Sequence, residues 1–154
     1  MTNNHFLDKI GSAMSDTFQK KSAEMTKIFT PLSREERYHL LMEMGQRLPP
    51  FPESCKTPDR IVQGCQSTLY LHAFLSEGKL FFEAYSDALI SAGLAALLIA
   101  VYSGETPETI LTCPPTFLSE LGIAASLSPN RSNGLAELHL RMKQEALQAL
   151  SSKV

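Results

Sequence analysis

The residues in this chain that are able to do chemistry are few and scattered. Three cysteines, Cys55, Cys65 and Cys113, are separated by 10 and 48 positions, and the four histidines, His5, His39, His72 and His139, form no cluster. Cys65 has the unusual surroundings. In "DRIVQGCQST", residues 59–68, it follows a glycine, lies between two glutamines and precedes a run that alternates like a strand. Gly64 lets the chain turn where a Cβ would clash, so a Gly-Cys pair ahead of a strand can project a thiol from a tight loop. Thiol chemistry needs access and a thiolate, which nearby positive charge favours. Spacing alone equally describes a small apolar filler at a sheet edge, the commoner use of cysteine.

The other candidates have plainer readings. Cys55 lies in a Pro-rich loop beside Lys56, and Cys113, ahead of Pro114-Pro115, is most simply a small residue packed at a helix end. Zinc sites pair ligands two to four residues apart, a spacing these cysteines lack, so no metal is expected. His39 and His139 fall on predicted helix surfaces, where solvation explains them. No G-x-S-x-G, phosphate-cradling glycine loop or His–Asp pairing occurs, which leaves a hydrolase or nucleotide enzyme unsupported. Arg131, in "SPNRSNGL", stands at the start of the last helix, where a cation opposes the helix dipole; it is either exposed and harmless or placed to meet an anion. Asp87, at the head of an apolar helix, reads by default as an N-cap.

The elements that must position these residues are legible in outline. The 154 residues are enough for one core, and 44% hydrophobic with 19% charged residues is an ordinary globular composition. A net charge of -2 with no basic stripe argues against nucleic acid. The apolar run "ALISAGLAALLIAVY", 88–102, is shorter than the ~20 residues of a membrane span and reads as a buried helix. The polar start "MTNNHFLDKI" lacks the order of a secretory leader, and with an odd cysteine count this predicts a reducing, cytoplasmic setting.

Along the chain, a peripheral helix is expected from about Ser12 to Phe29, with sparse apolar positions Met14, Phe18, Met25 and Ile28. Ser33-Arg-Glu-Glu36 is a capping box that opens a second helix, stopped near Gly45–Leu48 by "PPFPES". "STLYLHAFLSEGKLFFEAY" reads as a hairpin, with Leu69, Leu71 and Ala73 on one face and Tyr70, His72 and Phe74 on the other. "RIV", 60–62, is either a further strand or a loop anchor. Ser86 or Asp87 caps the buried helix, short helices follow Thr106 and Cys113, and an amphipathic helix carrying Leu135, Leu138, Met142 and Leu150 ends the chain. Strands grouped between helices predict an α+β fold.

In order and spacing, "GQRLP" (45–49), "IVQGCQSTLYL" (61–71), "SDALISAGLAALL" (86–98) and "LSPNRSNGLAEL" (127–138) resemble the SufE family of sulfur-acceptor proteins over roughly residues 30–150. The resemblance implies an N-terminal extension over 1–30, helical in part, and a SufE-like domain over 31–154. It implies a three-stranded antiparallel sheet packed against helices, like that of the iron–sulfur scaffold IscU. It also implies a function: Cys65 takes persulfide sulfur from a SufS-like, pyridoxal-phosphate cysteine desulfurase, stimulates that enzyme, and passes the sulfur to a SufBCD-like scaffold complex for Fe–S cluster assembly. On this reading Gln63, Gly64, Gln66 and Ser67 form the cysteine loop, Arg131 stabilises an anion near it, and Asp87 flanks it. The cysteine rests in an apolar pocket and swings out on binding the desulfurase. The protein is expected to hold no cofactor or metal of its own, to touch neither nucleic acid nor membrane, and to be a monomer or weak homodimer. An IscU-like metal or Fe–S scaffold, and a sulfur donor to a different acceptor such as a tRNA-modifying pathway, are the alternatives.

Overall fold

The computed structural model describes residues 3–65, 67–123 and 127–152, with side chains from residue 16 onward. Helices α1 (Asn3–Phe29) and α2 (Arg34–Gln46) come first, then two 3-10 turns (Glu53–Cys55 and Pro58–Arg60). Strands β1 (Leu69–Ser76) and β2 (Lys79–Ser86) follow, and then helices α3 (Leu89–Tyr102), α4 (Pro107–Thr112), α5 (Thr116–Glu120) and α6 (Pro129–Ser151).

The centre is α3. It is apolar all round, with nine buried residues from Ala92 to Tyr102, as a helix enclosed by others must be. Its partner α2 begins at the expected capping box: the Ser33 side chain accepts from Glu36 N–H, and the Glu36 carboxylate from Ser33 N–H. The two helices cross at Gly45 and Gly93. A Cβ on Gly45 would lie 2.7 Å from Gly93 N, and one on Gly93 would overlap the Leu41 carbonyl. Only glycine permits backbones this close.

The hairpin has the expected faces. Leu69 and Leu71 are buried with Leu80, Phe82 and Ala84, while Tyr70 pairs across the strands with Tyr85 and Phe74 with Phe81 on the other side. Glu77 and Gly78 both take positive φ (51° and 77°), as a two-residue turn of the I′ kind requires.

Three expectations are corrected. Among the described residues the sheet has two strands, not three. Ile61 makes only an isolated antiparallel bridge to Tyr70, because the turn at Pro58–Arg60 precedes it and the left-handed Gly64 (φ 89°) follows, which leaves no length for a ladder. Asp87 is exposed and caps nothing: the N-cap of α3 is Ala88, whose N–H donates to the Ser86 hydroxyl (3.2 Å). Nor is α1 peripheral. It begins at Asn3, buries Phe18 and Phe29, packs the Phe18 ring tilted against Tyr102 (ring centroids 5.0 Å apart) and ties the buried Glu105 through Lys21 (2.6 Å) and Thr17 (2.7 Å). Its apolar positions are sparse, but the two phenylalanines are large enough to dock it. Met14 lies outside the described side chains.

Candidate functional site

The loop carrying Cys65 is closed at its base and light at its tip. Val62 N–H donates to Leu69 C=O (2.8 Å), so residues 63–68 are pinched off as a short excursion ahead of β1. Below the pinch, Arg141 of α6 donates to the carbonyls of Ile61 (3.2 Å) and Asp59, and is itself ion-paired to Glu145 (3.1 Å). Arg60 donates to Thr57 Oγ1 (2.8 Å) and to His72 Nδ1 (3.2 Å). This gives a polar role to the His72 side chain, at a strand position the sequence pattern leaves for an apolar or neutral residue. Arg141 thus satisfies main-chain carbonyls of the chain entering the loop, where regular sheet hydrogen bonds are missing, while Arg60 ties side chains beside it.

At the tip, Gly64 and Gln63 are exposed and Cys65 is half-buried. The loop lies lengthwise on one stripe of α6, spaced three and four residues apart as side chains sharing a helix face must be: Cys65 against Gly134, Gly64 against Glu137, and Ile61 with Asp59 against Arg141. The Cys65 thiol lies 3.8 Å from the Gly134 carbonyl, a weak S–H···O contact. A Cβ on Gly64 would stand 2.7 Å from Glu137 Cγ, so a side chain there would be strained at φ 89° and would displace the glutamate.

Cys65 forms part of the wall of a cleft of about 610 Å³ between the loop, the first turns of α3 and α6, and Met42 of α2. Leu89, Ile90, Leu94, Leu135 and Leu138 make most of this wall apolar. Ser67 and Ser91 satisfy one another across it (2.7 Å). Asn130 and Arg131 enter from the N-terminus of α6, which is capped by Ser128 through the Arg131 N–H (3.4 Å). Arg131 is exposed, and its guanidinium has no hydrogen bond or ion pair among the described residues. The cleft therefore joins a sulfur, an apolar wall and an uncommitted cation. Asp87 does not line it, and Gln66 lies outside the described residues.

Burial first, and the Glu137 carboxylate second, push the Cys65 thiol above its ordinary value. In the docked loop the sulfur is therefore held as a neutral thiol. A thiol in this state is protected but slow, because the thiolate is the nucleophile.

Sequence reasoning missed Glu137, Gly134, Arg141 and Ser91. The first three recur along one helix face, but nothing in that face marks which loop it holds. His139 is not the solvated surface group its position suggests. It stacks on Tyr102 (5.5 Å), with Nε2 3.3 Å from the Tyr102 hydroxyl, and burial holds its pKa down to about 4. That hydroxyl in turn donates to the Cys113 carbonyl (2.7 Å). Cys113 caps α4 at its C-terminus, and all three cysteines are free thiols. Among the described residues no three His, Cys, Asp or Glu side chains converge as a metal site. No described helix is long and apolar enough to cross a membrane.

Comparison with known proteins matches residues 23–146 to the family described as "SufE: Fe-S metabolism associated domain". An uncharacterised SufE-like protein of Synechocystis is 37% identical over 113 residues, 73% of this chain and 71% of that protein. SufE-like protein 1, chloroplastic/mitochondrial, of Arabidopsis thaliana is 37% identical over 129 residues, 82% of this chain but only 35% of that longer protein. The fold is similar to the solution structure of a hypothetical protein from Thermus thermophilus, with a TM-score of 0.72 at 28% identity, covering 85% of this chain and 96% of the other.

Proposed function

The chain belongs to the SufE family, associated with Fe–S metabolism, and from that premise we propose that it is a sulfur carrier whose acceptor is Cys65. Proteins of this family work with a cysteine desulfurase. The donor is the persulfide on the desulfurase's own cysteine. Cys65, as thiolate, attacks the outer sulfur of that persulfide; a new S–S bond forms at Cys65 while the donor's S–S bond breaks, and the desulfurase cysteine leaves as a thiolate that takes up the proton Cys65 gave up. The exchange needs no external oxidant or reductant. By draining the persulfide, the carrier stimulates the desulfurase, and a second exchange of the same kind delivers the sulfur to an Fe–S assembly scaffold in the cytoplasm.

The observation that carries this reading is the joint placement of Cys65 and the unpaired Arg131 guanidinium on the walls of one cleft. Arg131 is positioned to attract the anionic persulfide, while the apolar wall shelters the loaded sulfur from reduction and oxidation. Cys65 must leave the cleft for attack, moving with the loop residues Gln63, Gly64 and Ser67, with Gln66 assigned to that loop by the family resemblance alone; the exposed Asp87 is assigned to the surface the desulfurase meets. The test is Cys65→Ser incubated with a cysteine desulfurase and labelled cysteine. Loss of the persulfide adduct of roughly 32 Da, with an unchanged circular dichroism spectrum, is expected; label appearing on the serine variant would remove Cys65 from the role.

A further inference from the structure

The loop that carries the thiol is docked, through its Gly64 backbone, against an acidic side chain. Glu137 approaches the residue before Cys65 so closely that a Cβ on Gly64 would lie 2.7 Å from its Cγ and 3.1 Å from its Cδ. One turn earlier on the same helix, the Gly134 carbonyl faces the sulfur at 3.8 Å. A carboxylate and a carbonyl oxygen are both electron-rich, and both tolerate S–H better than S⁻. The remaining groups around the sulfur do little to offset them. The first turn of α3 contributes Ala88, Leu89, Ile90 and Ser91 to the cleft, and α2 contributes Met42. Among the described residues the sole cation on the cleft wall is the exposed Arg131. Arg60, on the loop's own approach, is turned to Thr57 and His72.

We propose that Glu137 is a positioning residue that gates Cys65: it receives the Gly64 backbone when the loop is docked on α6 and, by its charge, keeps the sulfur in its unreactive form until a partner lifts the loop away. This rests on Cys65 being the sulfur acceptor. The base of the loop is fixed by Arg141 and by the Val62–Leu69 hydrogen bond, so the tip alone has to move. Moving it separates sulfur from carboxylate, and activation is thereby tied to engagement. The consistent upward push on the thiol from burial and from Glu137 supports the arrangement.

The test is the pH profile of Cys65 alkylation by iodoacetamide in the full chain, read by peptide mapping, for the unaltered protein, Glu137→Gln and Glu137→Ala. Glu137→Gln keeps the shape and removes the charge. It is expected to move the titration midpoint down and to alkylate about threefold to tenfold faster near neutral pH, the scale of one close charge at a half-buried site. A Glu137→Gln profile superimposed on that of the unaltered chain overturns the gate, as does acceleration by Glu137→Ala alone, which would reduce Glu137 to packing. Sulfur uptake is read separately. Refusal of sulfur by Cys65 sinks the carrier whatever the alkylation profile does, and an unmoved profile sinks the gate whether or not Cys65 accepts sulfur.

Discussion

The two halves of α6 do opposite things with similar residues. From His139 onward its inward side is filled and satisfied: Met142 and Ala146 are fully buried, His139 is stacked and hydrogen-bonded to Tyr102, and Arg141 is committed to Glu145 and two carbonyls. From Asn130 to Leu138 the same helix borders an open cleft, with Arg131 unpaired among the described residues and Gly134 and Glu137 touching the loop rather than the core. The contrast separates structure from chemistry. Where the inward polar groups have found partners, the residues hold the fold; where a cation has none among the described residues and a thiol makes only a weak contact, a ligand or partner can still supply one.

Three variants test that division, in order of expected effect. Met142→Ala removes a fully buried side chain from the filled half and should cost about 2–5 kcal/mol in urea unfolding, while leaving Cys65 alkylation unchanged; an effect confined to the thiol would blur the boundary. His139 should make stability fall on acidification. Its folded pKa, about 4, lies below the 6.5 of the free side chain, so between those values the unfolded chain binds the extra proton. The loss therefore begins as pH drops through about 6.5, grows down to about 4 and then levels off, amounting to roughly 1–2 kcal/mol once solvent screening of a partly exposed ring is allowed for. His139→Gln should flatten that slope, and a slope kept by the glutamine variant would assign it elsewhere. Gly134→Ala, in the open half, should be tolerated: its Cβ meets the Cys65 sulfur at an ordinary 3.6 Å, and the helix gains about 0.5–1 kcal/mol from losing a glycine. A destabilised alanine variant would mean the loop is packed more tightly there than an open wall implies.

Local rules make much of this legible. The capping box at Ser33, the turn at Glu77-Gly78, the alternating faces of β1 and the all-apolar α3 are each specified by residues within a few positions of one another. The family resemblance puts Cys65 and Arg131 in one site before any distance is known. What escapes involves partners far apart in the chain. α1 reads as peripheral because Phe18 and Phe29 are few, yet Tyr102 and Glu105 give it somewhere to dock. His139 reads as solvated until Tyr102 covers it. Asp87 is the default cap, but the helix begins two residues later, with its N-cap at Ala88, and the Ser86 hydroxyl meets that N–H.

Residue order thus settles which segments coil, which extend and where a left-handed turn lifts a sulfur off the chain, because those outcomes depend on torsions and neighbours a few residues apart. It is silent on whether that sulfur meets a cation, a carboxylate or a greasy wall. Gly64 and Glu137 stand 73 positions apart, and only the folding of α6 back along the loop brings a charge beside the residue that precedes the thiol. Reactivity here follows from local electrostatics, and electrostatics depends on distance in space, which the order of residues does not state.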